Sequence, residues 1–330
     1  MRPTEGIAMH RRRIIQLALP ALAGLLSLRA RAQIAEQPIR IIFPYAAGGS
    51  GDALARLVAE RMRVALGRSV IVEERTGGAG RIGVMAVKNA AADGSTLLLT
   101  PIATMAVFQH VYKSLGYDPF TDFTPVSQLA TFDFALGVGA QVPARSLKEL
   151  VAWVKADPAR AAFGGPGAGA LPHFLGVLFA HAAGLDLRHV AYRGSSAALA
   201  DLVAGQIPTV VTTLSDLVAM HKDGRIRMLA SSGPARSPFT PDVPTFREQG
   251  YDIEGTSWYG AFAPAGTPAA AIDRLSAAMA AAVRAPEVGE RLRAFGLVPT
   301  GTTAAALAAI QKADSARWAV AVKLSGFTAD

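Results

Sequence analysis

The residues best suited to bind a ligand lie in a glycine-rich segment after the first predicted strand. That segment reads Phe43-Pro44-Tyr45-Ala46-Ala47-Gly48-Gly49-Ser50-Gly51-Asp52. Glycine adopts positive φ at little cost and lets a ligand approach the main chain. The N–H groups at the start of a helix lack helical partners and carry partial positive charge. The segment therefore favours an anion, although a tight turn in which Asp52 caps the next helix explains the same pattern.

A comparable segment lies in the second half of the chain. Residues 164–170 read Gly-Gly-Pro-Gly-Ala-Gly-Ala and separate a predicted strand at 161–163 from a predicted helix at 171–183. Two other predicted strands run into small or hydroxyl residues, at 101–104 and 193–196. Ligands of open α/β sheets gather at the carboxyl ends of the strands. These segments are therefore candidates for a ligand site.

The side chains that could perform catalysis do not form a known pattern. Ser50 does not complete the Gly-x-Ser-x-Gly elbow of a nucleophile, because Asp52 stands at its last position. The chain has no cysteine, which excludes disulfides, thiolate zinc sites and a cysteine nucleophile. Its six histidines lack metal-ligand spacing, and no glycine segment is followed by Lys-Ser or Lys-Thr. The sequence predicts no catalytic residue, no metal and no cofactor.

Five side chains near these segments have both a ligand-binding and a structural explanation. His173 could contact the ligand, or it could be buried at a helix start and hydrogen-bonded to the main chain. Tyr45 and Trp258 could form walls of a cleft or belong to the core. Arg75 and Arg193 are the nearest cationic side chains in sequence, and both could simply be solvated.

The first 32 residues have the layout of an export signal. Arg11-Arg12-Arg13 precedes an apolar run at 14–28, and Ala30-Arg31-Ala32 offers small residues at a cleavage site after Ala32. The apolar run contains Pro20 and is short for a membrane span. The arginines fit both a Sec signal and a loose twin-arginine pattern. The sequence therefore predicts a periplasmic protein.

The net charge is modest once this signal is set aside. The whole chain of 330 residues carries a formal charge of +8, of which residues 1–32 contribute +5, so that +3 remains. A small positive charge suits an anionic small molecule. No basic run with interleaved aromatic residues occurs, so nucleic acid is not expected.

The order of the predicted elements indicates an α/β fold. Strands alternate with helices through both halves of the chain, which predicts parallel sheets. Extended segments at 126–138 and 258–264 are interpreted as crossings between two domains. Ser146 and Glu149 have the spacing of a capping box at the start of a helix.

Taken together, several motifs resemble the Bug-type extracytoplasmic solute receptors of the tripartite tricarboxylate transporter family. The resemblance covers residues 36–327. The motifs are Phe43-Pro44-Tyr45 with Gly48-Gly49 and Asp52, Glu74-Arg75 with Gly78-Ala79-Gly80, residues 92–98, Tyr192-Arg193-Gly194-Ser195, Pro241-Asp242-Val243-Pro244-Thr245, Trp258-Tyr259-Gly260 and residues 263–268.

The resemblance implies a type II periplasmic-binding-protein fold. Two α/β lobes are joined by two crossover strands, with the ligand cleft between them. We assign residues 33–133 and 254–330 to lobe 1 and residues 134–253 to lobe 2. A monomer without enzymatic activity is expected, which passes a small carboxylate to membrane subunits of a tripartite tricarboxylate transporter or to a sensor kinase. The alternative is an exported enzyme that acts on a small carboxylic acid in the same cleft.

In this family a carboxylate is held mainly by backbone amides and ordered waters of the segment that corresponds to 45–52. The residues expected around the ligand are Tyr45, Ala46, Gly48, Gly49, Ser50, Asp52, Thr100, Ile102, Ala103, Gly165, Gly167, Gly169, Ala170, His173, Tyr192, Gly194, Ser195 and Thr212.

The chain departs from the family pattern at three of these positions. Gly165 and Ala170 stand where a hydroxyl is usual, and Thr212 stands where an acidic residue often follows the strand at 207–214. The loss of an anion at Thr212 argues against ligands with a free ammonium group. It favours a ligand whose far end is uncharged or carries a second carboxyl group.

Overall fold

The computed structural model describes residues 37–192 and 194–330, so the predicted export signal and Arg193 lie outside the described residues. The strands are β1 (Ile39–Phe43), β2 (Val70–Glu74), β3 (Thr96–Pro101), β4 (Phe123–Phe132), β5 (Phe134–Gly139), β6 (Ala162–Pro166), β7 (Arg188–Tyr192), β8 (Thr209–Thr213), β9 (Ile226–Ser231), β10 (Ser257–Pro264) and β11 (Val298–Pro299). The helices are α1 (Ser50–Leu66), α2 (Arg81–Lys88), α3 (Phe108–Val111), α4 (Leu147–Lys155), α5 (Leu171–Ala183), α6 (Ser195–Ala204), α7 (Leu214–Lys222), α8 (Ala269–Arg284), α9 (Pro286–Ala294) and α10 (Ala304–Ser325). A π-helical turn, Ala103–Val107, precedes α3.

The strands form two separate sheets, one in each lobe. The six-stranded sheet of lobe 1 has the order β11-β4-β10-β3-β1-β2, and the five-stranded sheet of lobe 2 has the order β7-β6-β8-β5-β9. Helices cover the sheets, which gives the two-lobe α/β architecture expected from the resemblance. The lobe boundaries at 133/134 and 253/254 stay predictions.

The expectation of parallel sheets is correct for only part of each sheet. β1 pairs in parallel with β2 and β3, and β6 pairs in parallel with β7 and β8. β10 is antiparallel to β3 and β4, and β5 is antiparallel to β8 and β9. The reason is the chain path: β10 returns from lobe 2 and β5 enters it, so neither strand is reached through a helical crossover within its own sheet.

Apolar periodicity determines which faces of the helices are buried. Leu54, Val58 and Met62 recur along one face of α1 and are fully buried against the sheet of lobe 1. At the start of α4, Ser146 accepts a hydrogen bond from the backbone N–H of Glu149, as the capping-box spacing predicts.

Two chain segments connect the lobes and contact each other. Asp133 alone separates β4 in the first sheet from β5 in the second. Thr256, just before β10, donates a hydrogen bond to Oδ1 of Asp133 over 2.9 Å. Ser232 binds both segments, since its hydroxyl accepts from the N–H of Phe134 and donates to the carbonyl of Gly255. The connection is therefore a hydrogen-bonded pair of strand ends.

The long helix α10 packs against elements of both lobes. It contacts β4 in lobe 1 and α5 in lobe 2. Its Asp314 accepts a hydrogen bond from the indole N–H of Trp258 over 2.8 Å. Within the described part of the chain, the helices are too short or too polar to traverse a bilayer.

Candidate ligand-binding site

A cavity of about 870 Å³ lies between the two lobes. Its wall contains the start of α1 and the end of β3 from lobe 1. Lobe 2 contributes the residues before α5 and the first turn of α7. The volume is in the range of small-molecule sites.

The start of α1 places N–H groups without helical partners at the cavity. The first N–H with a helical acceptor is that of Ala53, which donates to the carbonyl of Gly49 over 3.0 Å. The N–H groups of Ser50 and Gly51 precede it and therefore have no partner within the helix. Gly51 must be glycine, because a Cβ there would come within 2.8 Å of the rings of Phe43 and Tyr259.

The carboxylate of Asp52 stabilises the glycine-rich segment before α1. Its Oδ2 accepts the N–H of Gly48 over 2.9 Å, and Nε of Arg56 lies 2.9 Å from its Oδ1. Burial opposes ionisation of this carboxyl, but these contacts lower its pKa overall. The interpretation of Asp52 as the N-cap of the helix is wrong. Gly49 occupies that position, and Asp52 lies in the first turn.

Two more helix starts face the cavity from lobe 2. Gly169, Ala170 and Leu171 line it at the start of α5, and Thr213 and Ser215 line it at the start of α7. Three helix N-termini from two lobes therefore converge on one space. Each contributes partial positive charge, so the cavity is suited to a negatively charged group.

Aromatic rings form much of the remaining wall. They are Phe43, Tyr45, Phe108, Tyr112, Phe132, Phe134, Tyr259, Phe295 and Phe327. Phe132 packs against Phe134 and Tyr259 with centroid distances of 5.8 and 5.2 Å, beside the connection between the lobes. Burial raises the pKa of both Tyr45 and Tyr259, so their hydroxyls stay neutral at pH 7.

Asp216 in the first turn of α7 is the one formally charged side chain among the described residues that line the cavity. Its Oδ2 accepts from Oγ1 of Thr212 over 3.4 Å, and Thr212 shares a hydrogen bond of 2.7 Å with Ser195. The protein around it raises the pKa of Asp216 by desolvation, and the hydroxyls of Ser195 and Thr212 oppose that rise. The side chain is nevertheless exposed to the cavity.

The expected loss of an anion at Thr212 therefore does not extend to the whole cavity. Thr212 does replace the expected acid, but Asp216 lies one helical turn further and presents a carboxylate to the same cavity.

The structure brings together part of the predicted site. The predicted residues on the cavity wall are Tyr45, Ala46, Gly48, Gly49, Ser50, Ile102, Ala103, Gly167, Gly169 and Ala170. All of them lie in the segments after β1, β3 and β6.

The other predicted residues do not line the cavity; they are Asp52, Thr100, Gly165, His173, Tyr192, Gly194, Ser195 and Thr212. Thr100 is fully buried and hydrogen-bonds Thr104. Tyr192 donates to Asp201 over 2.8 Å.

Three of these residues have structural roles in lobe 2. Gly165 belongs to β6 rather than to a loop, and a Cβ there would meet the carbonyl of Val211 at 2.9 Å. Gly194 is the N-cap of α6. His173 is buried, and its Nδ1 accepts the N–H of Gly169 over 3.2 Å, which agrees with the structural explanation for this histidine.

Side chains that sequence reasoning missed come mainly from two places. The start of α7 was not predicted, because the helix follows β8 without a glycine segment. On β10, Trp258 faces the core and Tyr259 faces the cavity. The wall residue of this strand is therefore Tyr259, whereas the sequence suggested Trp258. Strand alternation assigns the two to opposite faces, but it does not say which face is the cleft.

Arg75 forms an ion pair with Glu73 and is not on the cavity wall. No group of three His, Asp or Glu side chains that could hold a metal occurs in residues 37–192 and 194–330. What the described residues offer is main-chain donors, hydroxyls and aromatic surface, together with one carboxylate. This set can bind and orient a small molecule. It contains no evident nucleophile with a general base beside it.

Comparison with known proteins agrees with this architecture. Residues 54–327 match the family described as tripartite tricarboxylate transporter family receptor. A protein encoded in the tcbD-tcbE intergenic region of Pseudomonas sp. strain P51 is 34% identical over 286 residues, which are 86% of this chain and 84% of that protein.

Two solved structures are similar over most of the chain. The periplasmic binding protein BugD is 31% identical with a TM-score of 0.75, covering 88% of this chain and 98% of BugD. An R. palustris protein solved with adipate is 30% identical with a TM-score of 0.78, covering 88% and 98% of the two chains. The family match, the relatives and the shared two-lobe fold show that this chain belongs to the tripartite tricarboxylate transporter family of solute-binding receptors.

Proposed function

We propose that this protein is a periplasmic receptor that captures a small carboxylate between its two lobes. It delivers that ligand to a tripartite tricarboxylate-type transporter or to a sensor. The convergence of three helix N-termini from both lobes on one cavity carries the proposal. Support also comes from the R. palustris relative, which was solved with the dicarboxylate adipate.

The ligand's carboxylate is held by main-chain donors rather than by a cationic side chain. The N–H groups of Ser50 and Gly51 have no helical partner, and the hydroxyl of Ser50 lies beside them. One helix N-terminus contributes about 0.3–1 kcal/mol when exposed and up to about 2 kcal/mol when partly buried. Hydrogen bonds to a charged acceptor are about twice as strong as neutral ones. Ordered water completes the contacts in a cavity of this size.

Binding favours the closed arrangement of the lobes. A ligand shifts this equilibrium only through contacts that it makes better in one arrangement than in the other. A carboxylate that bridges the start of α1 and the start of α5 satisfies this condition, because those elements belong to different lobes.

A panel of mono-, di- and tricarboxylates tests the proposal when thermal shift and product formation are measured in the same samples. We expect at least one acid to raise the melting temperature without being consumed. Conversion of any acid into product would instead identify an exported enzyme that uses the same cavity.

Gly49→Val tests whether the start of α1 is the carboxylate site. No atom lies within 4 Å of a Cβ built on Gly49, and its φ of −86° suits valine, so the fold is retained. The isopropyl group would stand over the N–H groups of Ser50 and Gly51. We expect the ligand-induced rise in melting temperature to disappear.

The matched control is Ala156→Val, at the exposed end of α4 and outside the cavity wall. This variant keeps the full ligand-induced shift. An equal shift in Gly49→Val and in the wild type would place the carboxylate elsewhere.

A further inference from the structure

The residues that follow α10 cross from one lobe to the other at the edge of the cavity. Residues 326–330, here called the strap, belong neither to a helix nor to either sheet. Phe327 and Ala329 of the strap line the cavity, and both are half-buried. Main-chain donors at the helix starts do not explain why these two residues form part of the wall.

Main-chain hydrogen bonds attach the strap to lobe 1. The N–H of Ala329 donates to the carbonyl of Val111 over 2.8 Å, and the carbonyl of Ala329 accepts from the N–H of Lys113 over 3.0 Å. Tyr112, between those two residues, also lines the cavity, and its ring packs edge to face against Phe108 at 5.1 Å. The strap is therefore paired with a part of lobe 1 that is itself held in place.

The ring of Phe327 lies against the start of α5 in lobe 2. Its centroid is 5.7 Å from that of His173 and 6.4 Å from that of Phe174. A Cβ built on Gly169 would overlap the ring of Phe327, so this close approach requires glycine. The N–H of Gly169 donates to His173, so the ring covers the turn that leads into α5.

Packing in the core explains only part of this arrangement. Phe327 extends a hydrophobic cluster that contains Phe174 of lobe 2. The strap, however, joins this ring to main-chain bonds on lobe 1 only two residues later, at Ala329. Separation of the lobes must therefore pull the ring away from α5 or break the bonds of Ala329.

We propose that the strap closes the cavity over a bound acid, and that Phe327 is the residue through which lobe 1 holds the start of α5 in the closed arrangement. The proposal rests on the function proposed above, because closure matters only if the cavity holds a small molecule. A ring beside main-chain donors also excludes water from them, which strengthens their hydrogen bonds to an anion. Phe327 is thus a positioning residue that lengthens the residence of the bound acid.

Stopped-flow fluorescence with adipate, benzoate and citrate tests the role of the ring. We expect an acid that binds the wild type to leave Phe327→Ala at least about tenfold faster, with association no slower, because the lobes separate more readily. Phe327→Leu keeps apolar bulk at this position and should recover part of the slow release. Slower association in Phe327→Ala would indicate a damaged site and would overturn the proposal, as would unchanged release.

Ala329→Pro tests the attachment to lobe 1 while leaving the ring in the chain. Proline has no N–H, so the bond to the carbonyl of Val111 is lost. We expect release to become faster, as in Phe327→Ala. The matched control is Asp330→Asn, which removes an exposed ion pair with Lys113 and keeps the main-chain bonds, so its rates should equal those of the wild type. Release from Ala329→Pro as slow as from the wild type would exclude the strap.

Hydrogen exchange measured by mass spectrometry without any acid separates this inference from the proposed function. In Phe327→Ala and Ala329→Pro, the N–H groups of Gly169 and His173 should exchange at least about tenfold faster than in the wild type, because the turn before α5 opens more often. Asp330→Asn should exchange like the wild type. Unchanged exchange in both strap variants overturns the inference whatever the cavity binds. If exchange rises and none of the three acids binds, closure by the strap stands and the failure belongs to the proposed carboxylate function.

Discussion

His173 and His189 form a stacked pair behind the glycine segment of lobe 2. Their ring centroids are 4.2 Å apart, and the ring of Phe163 lies 4.9 Å from that of His189. Burial lowers the pKa of both rings, and the neighbouring His173 adds to the effect on His189, whose pKa falls to about 4. Both rings are therefore neutral at pH 7. The pair can stack without charge repulsion and still accept the N–H of Gly169.

This pair predicts a loss of stability in mild acid. Between pH 6.5 and about 4 the unfolded chain binds a proton at His189 that the folded protein does not, so the free energy of unfolding falls as the pH falls. Each unit of the shift corresponds to about 1.4 kcal/mol, and partial exposure of the ring reduces the total to about 2 kcal/mol. Below pH 4 this group causes no further loss.

Urea unfolding at pH 7 and pH 4.5 measures the effect. His189→Gln should have a free energy of unfolding that depends less on pH than that of the wild type, by about 1.5 kcal/mol over this interval. His181→Gln, which changes an exposed histidine on α5, should follow the wild type. Parallel pH dependences for all three proteins would exclude this role for His189.

At the scale of single residues, the main-chain donors of the site were more predictable than its side chains. The glycine-rich composition of residues 48–51 is enough to predict a turn between a strand and a helix. The position of Asp216 depends on where α7 begins, and that start is fixed by β8 ending at Thr213 and by the bond from the N–H of Leu214 to the carbonyl of Asp133. Such a long-range contact leaves no local pattern in the sequence.

At the scale of elements, the connection between the lobes depends on a partly buried carboxylate. Desolvation raises the pKa of Asp133, nearby Glu254 adds to the rise, and the hydrogen bond from Thr256 opposes it. The two connecting segments meet at this bond, so it links the end of β4 to the start of β10.

Thr256→Val should therefore destabilise the protein more than its surface position suggests. The change leaves the Asp133 carboxylate without its hydroxyl donor in a poorly solvated place, which lowers the free energy of unfolding by about 1–2 kcal/mol at pH 7. Thr256→Ser keeps the donor and should lose less than about 0.5 kcal/mol. Equal losses in urea unfolding of the two variants would show that the methyl group matters rather than the hydroxyl.

The elements themselves were largely predictable, and their pairing was not. Apolar runs and glycine stops indicated the strands and helices of both lobes, including α5 and its end at Gly184. Whether a strand runs parallel or antiparallel to its neighbours depends on the lobe from which the chain enters that strand. Residues 258–264 were predicted as an extended return crossing, but nothing local to residues 257–264 shows that β10 lies antiparallel between β3 and β4.

At the scale of the whole molecule, the lobes also touch at the rim of the cavity, far along the chain from their connections. A Cβ built on Gly296, after α9, would lie 2.3 Å from Cβ of Ser215 at the start of α7. Gly296 belongs to lobe 1 and Ser215 to lobe 2, and glycine is needed there because the two main chains approach so closely. Opening of the cleft must separate this pair.

A disulfide between Ser215→Cys and Gly296→Cys should hold the cleft closed. The natural chain has no cysteine, so within one molecule the two introduced thiols can pair only with each other. The Cβ atoms must move apart to about 3.8 Å, and the φ of +72° at residue 296 adds some strain. Closing a loop of this length stabilises the folded chain by about 2–4 kcal/mol.

We therefore expect the oxidised double variant to bind and release its acid at least about tenfold more slowly than the wild type, with normal rates restored by a reductant. Stopped-flow fluorescence with and without the reductant measures both rates, and the two single-cysteine variants control for the side-chain changes at the cavity wall. If the oxidised protein exchanges ligand as fast as the reduced one, ligand enters without separation of Ser215 from Gly296. Capture by closure of the lobes would then be wrong, whatever acid the cavity binds.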